Sequence, residues 1–511
     1  MKRLRPRVNI NLPELDQVLE QARQAPLSDP DYQKLKDTLP LLVGLLPPAR
    51  NTEKTKAVPA DVDTPVTAGL STAEAPHPRP SGHGRNGAAA LTGARKVVIA
   101  HASLQSGCGC PACERGKVYR QKEPKPLIRI VGQAPLAAAV YELERWRCNA
   151  CGQVFTAAEP EEVGPDQYDE TTGAIIAQLK YGSGMPFYRL EKLQASFGIP
   201  LPAATQWEIV AETAELLHPA RDELIRQAAQ GEVLPNDDTR MRVLRLAREP
   251  SDPRTGVFTS GIVSTKQEQQ IALYFTGRQH AGENLADVLR ERAADLRLPV
   301  QMCDALSRNV PKLSGGVEVL LANCLAHGRR QFVDMLPNFP AECRSVLEQL
   351  GHVYGYDAEA RKRGLTAEER LHFHQQHSGP VMEELHRWLE AQLAEKKTEP
   401  NSGLGQAITY LLRHWRGLTA FLREKNAPLD NNLCERALKR AVLHRKNALF
   451  YRTRHGAEVG DLFMSLIHTC ELCRVNSFDY LTELQRHALD LAAHPGRWMP
   501  WNYRETVAQN V

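Results

Sequence analysis

The sequence predicts a multidomain α/β and α protein, in which one mixed α/β unit is flanked by helical segments. Three observations lead to this prediction: a length of 511 residues, a change from helical to strand periodicity near residue 232, and a return to helical periodicity after residue 340. Because a domain contains roughly 150 residues on average, a chain of this length should contain about three folding units. Its hydrophobic content of 42% is sufficient for several buried cores.

Composition and charge exclude several classes of protein. The formal net charge of +4 is small for this length, so a nucleic-acid partner would be bound by local basic patches. Since no segment approaches the roughly 18 apolar residues of a membrane span, and no apolar run follows the basic N-terminus, we expect a cytoplasmic protein without a membrane partner. Eleven unevenly placed cysteines indicate a metal site plus buried thiols rather than a disulfide framework.

Two segments precede the first motif that carries chemistry. Residues 1–46 have leucines at helical spacing, which predicts a helical hairpin or a coiled-coil-like pair. Residues 47–95 are rich in Pro, Gly, Ala, Thr and Ser, which is the composition of a flexible linker.

Residues 96–160 contain two Cys-x-x-Cys pairs. The four cysteines are Cys110, Cys113, Cys148 and Cys151. Two such pairs in one small module are typical of tetrahedral Zn²⁺ in a zinc ribbon, and a redox dithiol is the competing interpretation. His101 and Cys108 are alternative ligands in place of Cys110. The basic residues between the pairs suit contact with DNA, although the module would equally serve as a structural staple.

Residues 161–225 predict two helices joined by a turn at Gly198. This arrangement is compatible with a helix-turn-helix unit that binds DNA. Because any helical hairpin with a glycine turn has the same pattern, the pattern alone favours a helical spacer.

Residues 226–339 predict the mixed sheet. The first strand is expected to be long, within GEVLPNDDTRMRVLRLA (231–247), and TGVFTSGIVST and QQIALYFTG follow as the second and third. The helix AGENLADVLRERAADLR precedes a fourth strand, LPVQMCD, and a fifth strand, GGVEVLLANC, leads into the helix AHGRRQFVDML. This order of strands and helices defines a mixed α/β sheet. Residues 340–425 then form a long helical insertion.

A basic helix follows in residues 426–465, and residues 466–511 continue as a helical segment. Asp430–Asn432 are good N-cap residues for the basic helix. Glu435 is its one acid near the start, since seven Lys or Arg and no Asp or Glu occur from Arg436 to Arg454. Taken alone, a surface ion pair between Glu435 and Lys439 is the simplest interpretation of this acid.

The α/β region favours a different interpretation, in which three carboxylates converge. Asp237 lies in the first strand, and Asp304 directly follows the fourth, at the end where open α/β sheets place their sites. With Glu435 they would offer the oxygen ligands that Mg²⁺ or Mn²⁺ prefers. Nearby cations would then hold a phosphodiester backbone. The candidate DNA-binding residues are Arg329, Arg330, Arg436, Lys439, Arg440, Arg445 and Lys446.

The order of these motifs resembles that of the insertion-sequence-66 family of DDE transposases. NDDTRMRVL resembles its first-acid motif, Asp-Glu-Thr, and NCLAHGRRQF resembles its Cys-x-x-His motif followed by basic residues and Phe. The stretch from Asp430 to Asn447 resembles its signature, Asp-Asn-Asn, then Glu-Arg, then Arg-Lys-Asn. Asp238 stands where the family has Glu, and the surroundings of Asp304 lack the expected Tyr-Gly-like residues. Because neighbours in a strand point to opposite faces, only one of Asp237 and Asp238 can bind the metal, and Asp237 aligns with the family's acid.

The resemblance covers nearly the whole chain and implies a DNA transposase with an RNase H-like core. It implies Mg²⁺ or Mn²⁺ on Asp237, Asp304 and Glu435, cleavage at transposon terminal inverted repeats, and transfer of the freed strand to target DNA. It also implies a homo-oligomer that pairs two ends, and small accessory proteins. His327 would either assist proton transfer or phosphate contact, or cap its helix. A non-catalytic, transposon-derived DNA-binding protein and an RNase H-like nuclease without strand transfer are the alternatives.

Overall fold

The computed structural model describes residues 98–510 with short gaps. The gaps are 113–114, 122–133, 148–150, 152, 159, 161–165, 248–253, 268 and 314–317. The predicted helical hairpin of residues 1–46 and the linker of residues 47–95 therefore lie outside the described residues. Among the described residues, no helix combines the length and the apolar character that crossing a membrane requires.

The cysteine-bearing segment contains a small antiparallel pair, β1 (Arg145–Arg147) and β2 (Val154–Thr156). Before it, the N–H of Cys110 donates to the carbonyl of Gly116 at 2.8 Å, and the N–H of Val118 donates to the carbonyl of Cys108 at 2.8 Å. Cys113 and Cys148 lie outside the described residues, so the zinc ribbon stays a prediction.

In the described part of the chain, three helices precede the sheet: α1 (Glu170–Ala177), α2 (Phe187–Ser196) and α3 (Ala203–Ala228). Asp169 caps α1 by accepting the N–H of Thr172 at 3.1 Å, and a π-helical turn, Gln178–Gly182, continues α1. Gly198 lies between α2 and α3 with φ of +76°, where glycine costs less strain than other residues. The two predicted helices and their turn are therefore present, while DNA binding by them stays a prediction.

Six strands follow, of which five form the mixed sheet in the described part of the chain. They are β3 (Val233–Arg240), β4 (Val243–Arg245), β5 (Phe258–Lys266), β6 (Gln269–Gly277), β7 (Val300–Cys303) and β8 (Leu320–Asn323). The order in the sheet is β6-β5-β3-β7-β8. Strands β3, β7 and β8 are parallel, and β5 is antiparallel to both β3 and β6. The predicted mixed α/β sheet is thus confirmed.

Several element boundaries differ from the sequence-based expectation, two of them around the sheet. The long first strand is wrong, because β3 ends at Arg240 and β4 instead pairs with β9 (Tyr451–Thr453), a strand about 200 residues later. The helix after β6, α4 (Ala281–Leu289), is shorter than predicted. Beyond its end, the guanidinium of Arg292 donates to the carbonyls of Ala229 and Gly231 at 2.6 and 2.7 Å, which holds the chain against the end of α3.

The region after β8 is helical, as predicted. Its helices are α5 (Leu325–Met335), α6 (Pro340–Lys362), α7 (Ala367–Ala394) and α8 (Gly403–Leu418). Thr366 and Glu369 form a capping box at the start of α7.

Five more helices follow among the residues that the structure describes. They are α9 (Asn432–Ala448), α10 (Arg454–Leu472), α11 (Ser477–Arg486), α12 (Ala488–Ala493) and α13 (Tyr503–Asn510). The boundary expected between residues 465 and 466 lies inside α10, because this helix binds the sheet along its length. Its Ser465 and Thr469 hydroxyls accept the N–H groups of Tyr274 and Ala272 in β6, at 3.0 and 3.1 Å.

Two hydrophobic clusters cover the two faces of the sheet. Val233 belongs to the cluster that contains α5, α6 and α8, and its neighbour Leu234 belongs to the cluster that contains α3, α9 and α10. This division follows from the alternation of side chains along a strand. In β5, the adjacent residues Ile262 and Val263 are both fully buried, as expected for a strand that is covered on both faces.

Candidate active site

The sheet brings Asp237 and Asp304 together. In the parallel register of β3 and β7, Pro235 lies beside Met302, and each aspartate follows its strand partner by two residues. Asn309, in the turn Ser307–Asn309, bridges the two carboxylates. Its side-chain Nδ2 donates to Oδ1 of Asp237 at 3.1 Å and to Oδ1 of Asp304 at 2.7 Å.

The environment of the two aspartates favours the binding of a cation between them. Burial, followed by the negative charge of Asp304, raises the pKa of Asp237 to about 7. Two carboxylates that share one amide donor gain from a cation that offsets their repulsion. Since the donors are carboxylate oxygens, the site fits a hard divalent ion such as Mg²⁺ or Mn²⁺.

A network of buried amide side chains holds Asn309, the residue that bridges the two aspartates. The main-chain carbonyl of Asn309 accepts Nδ2 of Asn236 at 2.8 Å and Nε2 of Gln301 at 2.7 Å. Gln301 also donates to Oδ1 of Asn236 at 2.9 Å, and all three residues are fully buried. Reasoning from sequence missed these residues. The one available signal was a glutamine within the otherwise apolar strand VQMC.

The backbone after Asp304 is strained. Ala305 adopts φ of +65°, in the left-handed region that non-glycine residues seldom occupy. The carboxylate of Asp304 accepts the N–H of Leu306 at 3.2 Å, and its main-chain carbonyl accepts the hydroxyl of Tyr410 at 3.3 Å. These bonds hold the turn that aims Asp304 at Asp237, and strain of this kind is typical of functional sites.

Asp238 has different partners from Asp237. Its side chain is 1% exposed, and its carboxylate lies 2.7 Å from Nδ1 of His280 and 3.5 Å from Nη2 of Arg308. His280 precedes α4 and packs against the ring of Phe258, with centroids 4.3 Å apart. Asp238 therefore joins β3 to α4 and to the turn that carries Asn309.

The start of α9 is fixed by bonds to two other elements. Asn431, the N-cap residue within the predicted stretch Asp430–Asn432, is fully buried, and its Nδ2 donates to the carbonyl of Asn236 in β3 at 3.1 Å. Its own N–H donates to Sγ of Cys324 at 3.2 Å. The side chain of Asp430 instead accepts the N–H of Asn432 at 3.1 Å. These bonds tie the helix that carries Glu435 to the strand that carries Asp237.

Close packing brings α9 against the sheet next to Asp237. Gly261 in β5 pairs with Asp237 across the ladder, and the thiol of Cys434 donates to the carbonyl of Gly261 at 3.2 Å. A Cβ added at Gly261 would lie 3.0 Å from the side chain of Leu438, so this glycine permits the close approach. Cys434, Ala437, Leu438 and Ala441 are buried and form the apolar face of this helix.

Glu435 lies in a second group of polar side chains. Its Oε1 is 3.7 Å from Nδ1 of His327, and the two side chains are 25% and 31% exposed. Cys324, the N-cap residue of α5, completes the group, since its Sγ and the ligand atoms of His327 and Glu435 lie within 4.8 Å of one another. Burial raises the pKa of Cys324 to about 12, so its free thiol stays protonated at neutral pH.

The predicted DNA-binding cations differ in their surroundings. Arg440 is 18% exposed, pairs with Glu471, and donates to the carbonyl of Gly182 at 3.3 Å. Arg445 donates to Oγ1 of Thr239 at 3.1 Å and to the carbonyl of Arg240. These two arginines therefore also anchor α9 to its neighbours. Arg329 is half-buried, whereas the exposed cations are Arg330, Arg436, Lys439 and Lys446.

Comparison with known proteins places this chain among transposases. A family model described as "Transposase IS66 family" matches residues 166–459, which is more than half of the 511 residues. The "Uncharacterized protein y4jD" of Sinorhizobium fredii is 27% identical over 423 residues, covering 77% of this chain and 78% of that protein. The "Uncharacterized protein y4hP" of the same organism is 25% identical over 396 residues, covering 72% and 68%. The resemblance inferred from the motifs is thereby confirmed, and the chain belongs to the IS66 family of transposases.

Proposed function

We propose that this transposase cuts and joins DNA at a site formed by Asp237, Asp304 and Glu435. The observation that carries the proposal is the pairing of Asp237 and Asp304 on the amide of Asn309. The pair lies within the residues that the transposase family model matches, at the end of a parallel strand pair, where α/β sheets commonly hold their ligands.

The topology of the sheet supports an RNase H-like core for this activity. Three neighbouring strands of the sheet, β3, β5 and β6, form an antiparallel meander. On the other side of β3, the strands β7 and β8 run parallel to it. The first acid lies in the central strand, and the second follows the strand next to it. The third lies on α9, which packs against β3 and β5.

Asp237, Asp304 and Glu435 would hold Mg²⁺ or Mn²⁺. When bound, such an ion supplies Lewis acidity that activates the attacking oxygen and stabilises the leaving oxygen. The protein contributes by orienting its carboxylates before the metal arrives. Asn309 holds the first two, and the bonds of Asn431 to β3 and to Cys324 hold the helix of the third.

The proposed reaction has two steps at the same site. First, the oxygen of a water molecule bonds to the scissile phosphorus and the bond from phosphorus to the 3′-oxygen breaks. The leaving 3′-oxygen takes one proton and becomes the 3′-hydroxyl of the transposon end, the flank carries a 5′-phosphate, and the other proton of the water passes to the solvent. Second, this 3′-hydroxyl bonds to a target phosphorus and releases a target 3′-hydroxyl. His327, which is 31% exposed beside Glu435, would contact a phosphate oxygen of the DNA.

Double-stranded DNA is the proposed partner. The exposed side chains of Arg436, Lys439 and Lys446 lie on the same helix as Glu435, and they would bind phosphates next to the scissile bond. We also assign Zn²⁺ to the cysteine-bearing module, and expect a multimer to pair the two transposon ends with help from accessory proteins of the same element.

Cleavage of a duplex that carries the element's terminal repeats tests the proposal. In Mg²⁺, Asp237→Asn, Asp304→Asn and Glu435→Gln should each lower the cleavage rate by at least about 100-fold, while the protein still binds the ends. Glu384→Gln, at an exposed glutamate of the helical insertion, is the matched control and should cleave normally.

The same assay separates the alternatives. A wild-type protein that binds ends but never cleaves them would be a DNA-binding protein without catalysis. Cleavage without joined products, when target DNA is supplied, would identify a nuclease. Full cleavage by Glu435→Gln would refute the assignment of the third acid.

A further inference from the structure

We propose that Cys324, His327 and Glu435 form a binding site for a transition metal such as Zn²⁺. This site shares Glu435 with the proposed Mg²⁺ site, since the two oxygens of a carboxylate can bind two ions, and its other donor atoms differ from those of Asp237 and Asp304. It offers one sulfur, one imidazole nitrogen and one carboxylate oxygen. Sulfur and nitrogen donors select zinc-like ions over Mg²⁺, which binds oxygen.

The three ligand atoms are close enough for one ion. They lie within 4.8 Å of one another, and modest side-chain rotation would bring them to the separations of a tetrahedral shell. Cys324 is the N-cap residue of α5, and His327 lies in the first turn of the same helix, three residues later. Residues at this spacing share one face of a helix, and α9 presents Glu435 to that face.

The imidazole of His327 has a polar nitrogen that a bound metal ion would pair with. Its Nδ1 is buried and has no hydrogen-bond partner among the residues that the structure describes. The nearest carboxylate oxygen, Oε1 of Glu435, lies at 3.7 Å, which is too far for a hydrogen bond. An unpaired buried nitrogen is costly, so a direct histidine–glutamate bond does not explain this arrangement, whereas a shared metal ion does.

The cysteine is placed to act as a thiolate ligand. It is fully buried, and its Sγ accepts the N–H of Asn431 at 3.2 Å, a bond that stabilises negative charge on sulfur. Binding of the ion transfers the thiol proton to the solvent. The resulting thiolate, neutral imidazole and carboxylate carry two negative charges, which balance the dication.

The site has an accessible side. The side chains of His327 and Glu435 are 31% and 25% exposed, whereas Cys324 is fully buried. Three protein ligands with one open position are typical of reactive rather than structural zinc sites. Water or a phosphate oxygen would complete the shell.

Titration of the metal-free, full-length protein with Co²⁺ tests the site. Wild-type protein should bind one more equivalent of Co²⁺ than Cys324→Ser or His327→Gln, and Cys324→Ser should also lose absorption from sulfur-to-cobalt charge transfer. Cysteines of residues 96–160 contribute equally to all variants, so the difference between variants reports on this site alone. Cys343→Ala, which removes another buried thiol from the same hydrophobic cluster, should keep the full stoichiometry.

Two results would overturn the proposal. One is equal stoichiometry in wild type, Cys324→Ser and His327→Gln. The other is an equal loss in Cys343→Ala, which would attribute the change to general loosening of the core. Since the measurement uses neither DNA nor cleavage, its failure leaves the proposed reaction standing. A protein that binds the extra Co²⁺ yet never cleaves DNA would refute the reaction alone.

Discussion

Asn309 is the residue on which the geometry of the acid pair depends. Its amide contacts both carboxylates, and its carbonyl is held by Asn236 and Gln301. Side chains that orient ligands in this way commonly change metal affinity by about 10- to 100-fold when they are removed. Asn309 is therefore a positioning residue, since it acts through the aspartates.

We expect Asn309→Ala to raise the Mg²⁺ concentration needed for half-maximal cleavage by about 10-fold or more, because both carboxylates lose their shared donor. A Mg²⁺ titration of the cleavage rate measures this change. Ser307→Ala, at an exposed residue of the same turn, is the control and should leave the titration unchanged. A purely structural role would instead lower the rate equally at all Mg²⁺ concentrations.

At the scale of elements, α6 and α7 are joined by a buried ionic cluster around Asp357. This carboxylate is 6% exposed and binds Arg361 of its own helix and Arg370 and His374 of α7. Although burial alone would raise it, the bond from His374 and the charge of Arg370 hold the pKa of Asp357 well below its ordinary value of 3.8.

We expect Asp357→Asn to lower the free energy of unfolding by about 2–4 kcal/mol at pH 7, because two arginines lose their buried partner. A depressed pKa stabilises the fold above the unfolded-state pKa of about 4, and this stabilisation is lost as the pH falls below that value. The difference between wild type and variant should therefore shrink below about pH 4 in urea unfolding.

The control for this prediction is Glu359→Gln, which removes an exposed pair with Arg363 on the same helix. Its effect should stay below about 1 kcal/mol. Equal effects of the two substitutions would contradict the special role of the buried cluster.

Sequence patterns predicted most elements but few of the contacts between them. Local periodicity is sufficient to locate β5, β6 and α9, since each buries a face that its own residues define. The end of β3 at Arg240 could not be predicted, because it depends on pairing between β4 and β9, which are distant in the chain. For the same reason the motifs indicated Asp237, Asp304 and Glu435, whereas the bridging amide of Asn309 and the grouping of Cys324 with Glu435 required coordinates.

At the scale of the whole molecule, the C-terminal helices belong to the main core. Trp498 is fully buried in the same cluster as Leu234 of β3, and its Nε1 donates to Asp490 at 2.8 Å. Its main-chain carbonyl accepts the hydroxyl of Tyr480 in α11 at 2.8 Å. The last residues of the chain therefore contribute to the stability of the sheet that carries the acids.

We expect Trp498→Ala to lower the free energy of unfolding by about 3–5 kcal/mol, since it leaves a large cavity in a shared core. Denaturant unfolding followed by circular dichroism measures this loss. Leu489→Ala removes a side chain that is 91% exposed and should change stability by less than about 0.5 kcal/mol. If Trp498→Ala unfolds only the last helices in a separate transition, the shared core is refuted.

The pairing of β4 with β9 has a consequence for how such chains can diversify. Strand β4 follows β3 and pairs with β9, which follows α9. The C-terminal end of the glutamate-bearing helix is therefore held by a continuation of the strand that supplies the first aspartate. At the N-terminal end of this helix, the side chain of Asn431 donates a hydrogen bond to the same strand, β3. The helices α6 and α7, which lie between the second and third acids, are therefore outside a frame that is already closed. Evolution could lengthen, shorten or replace α6 and α7 without moving the three acids.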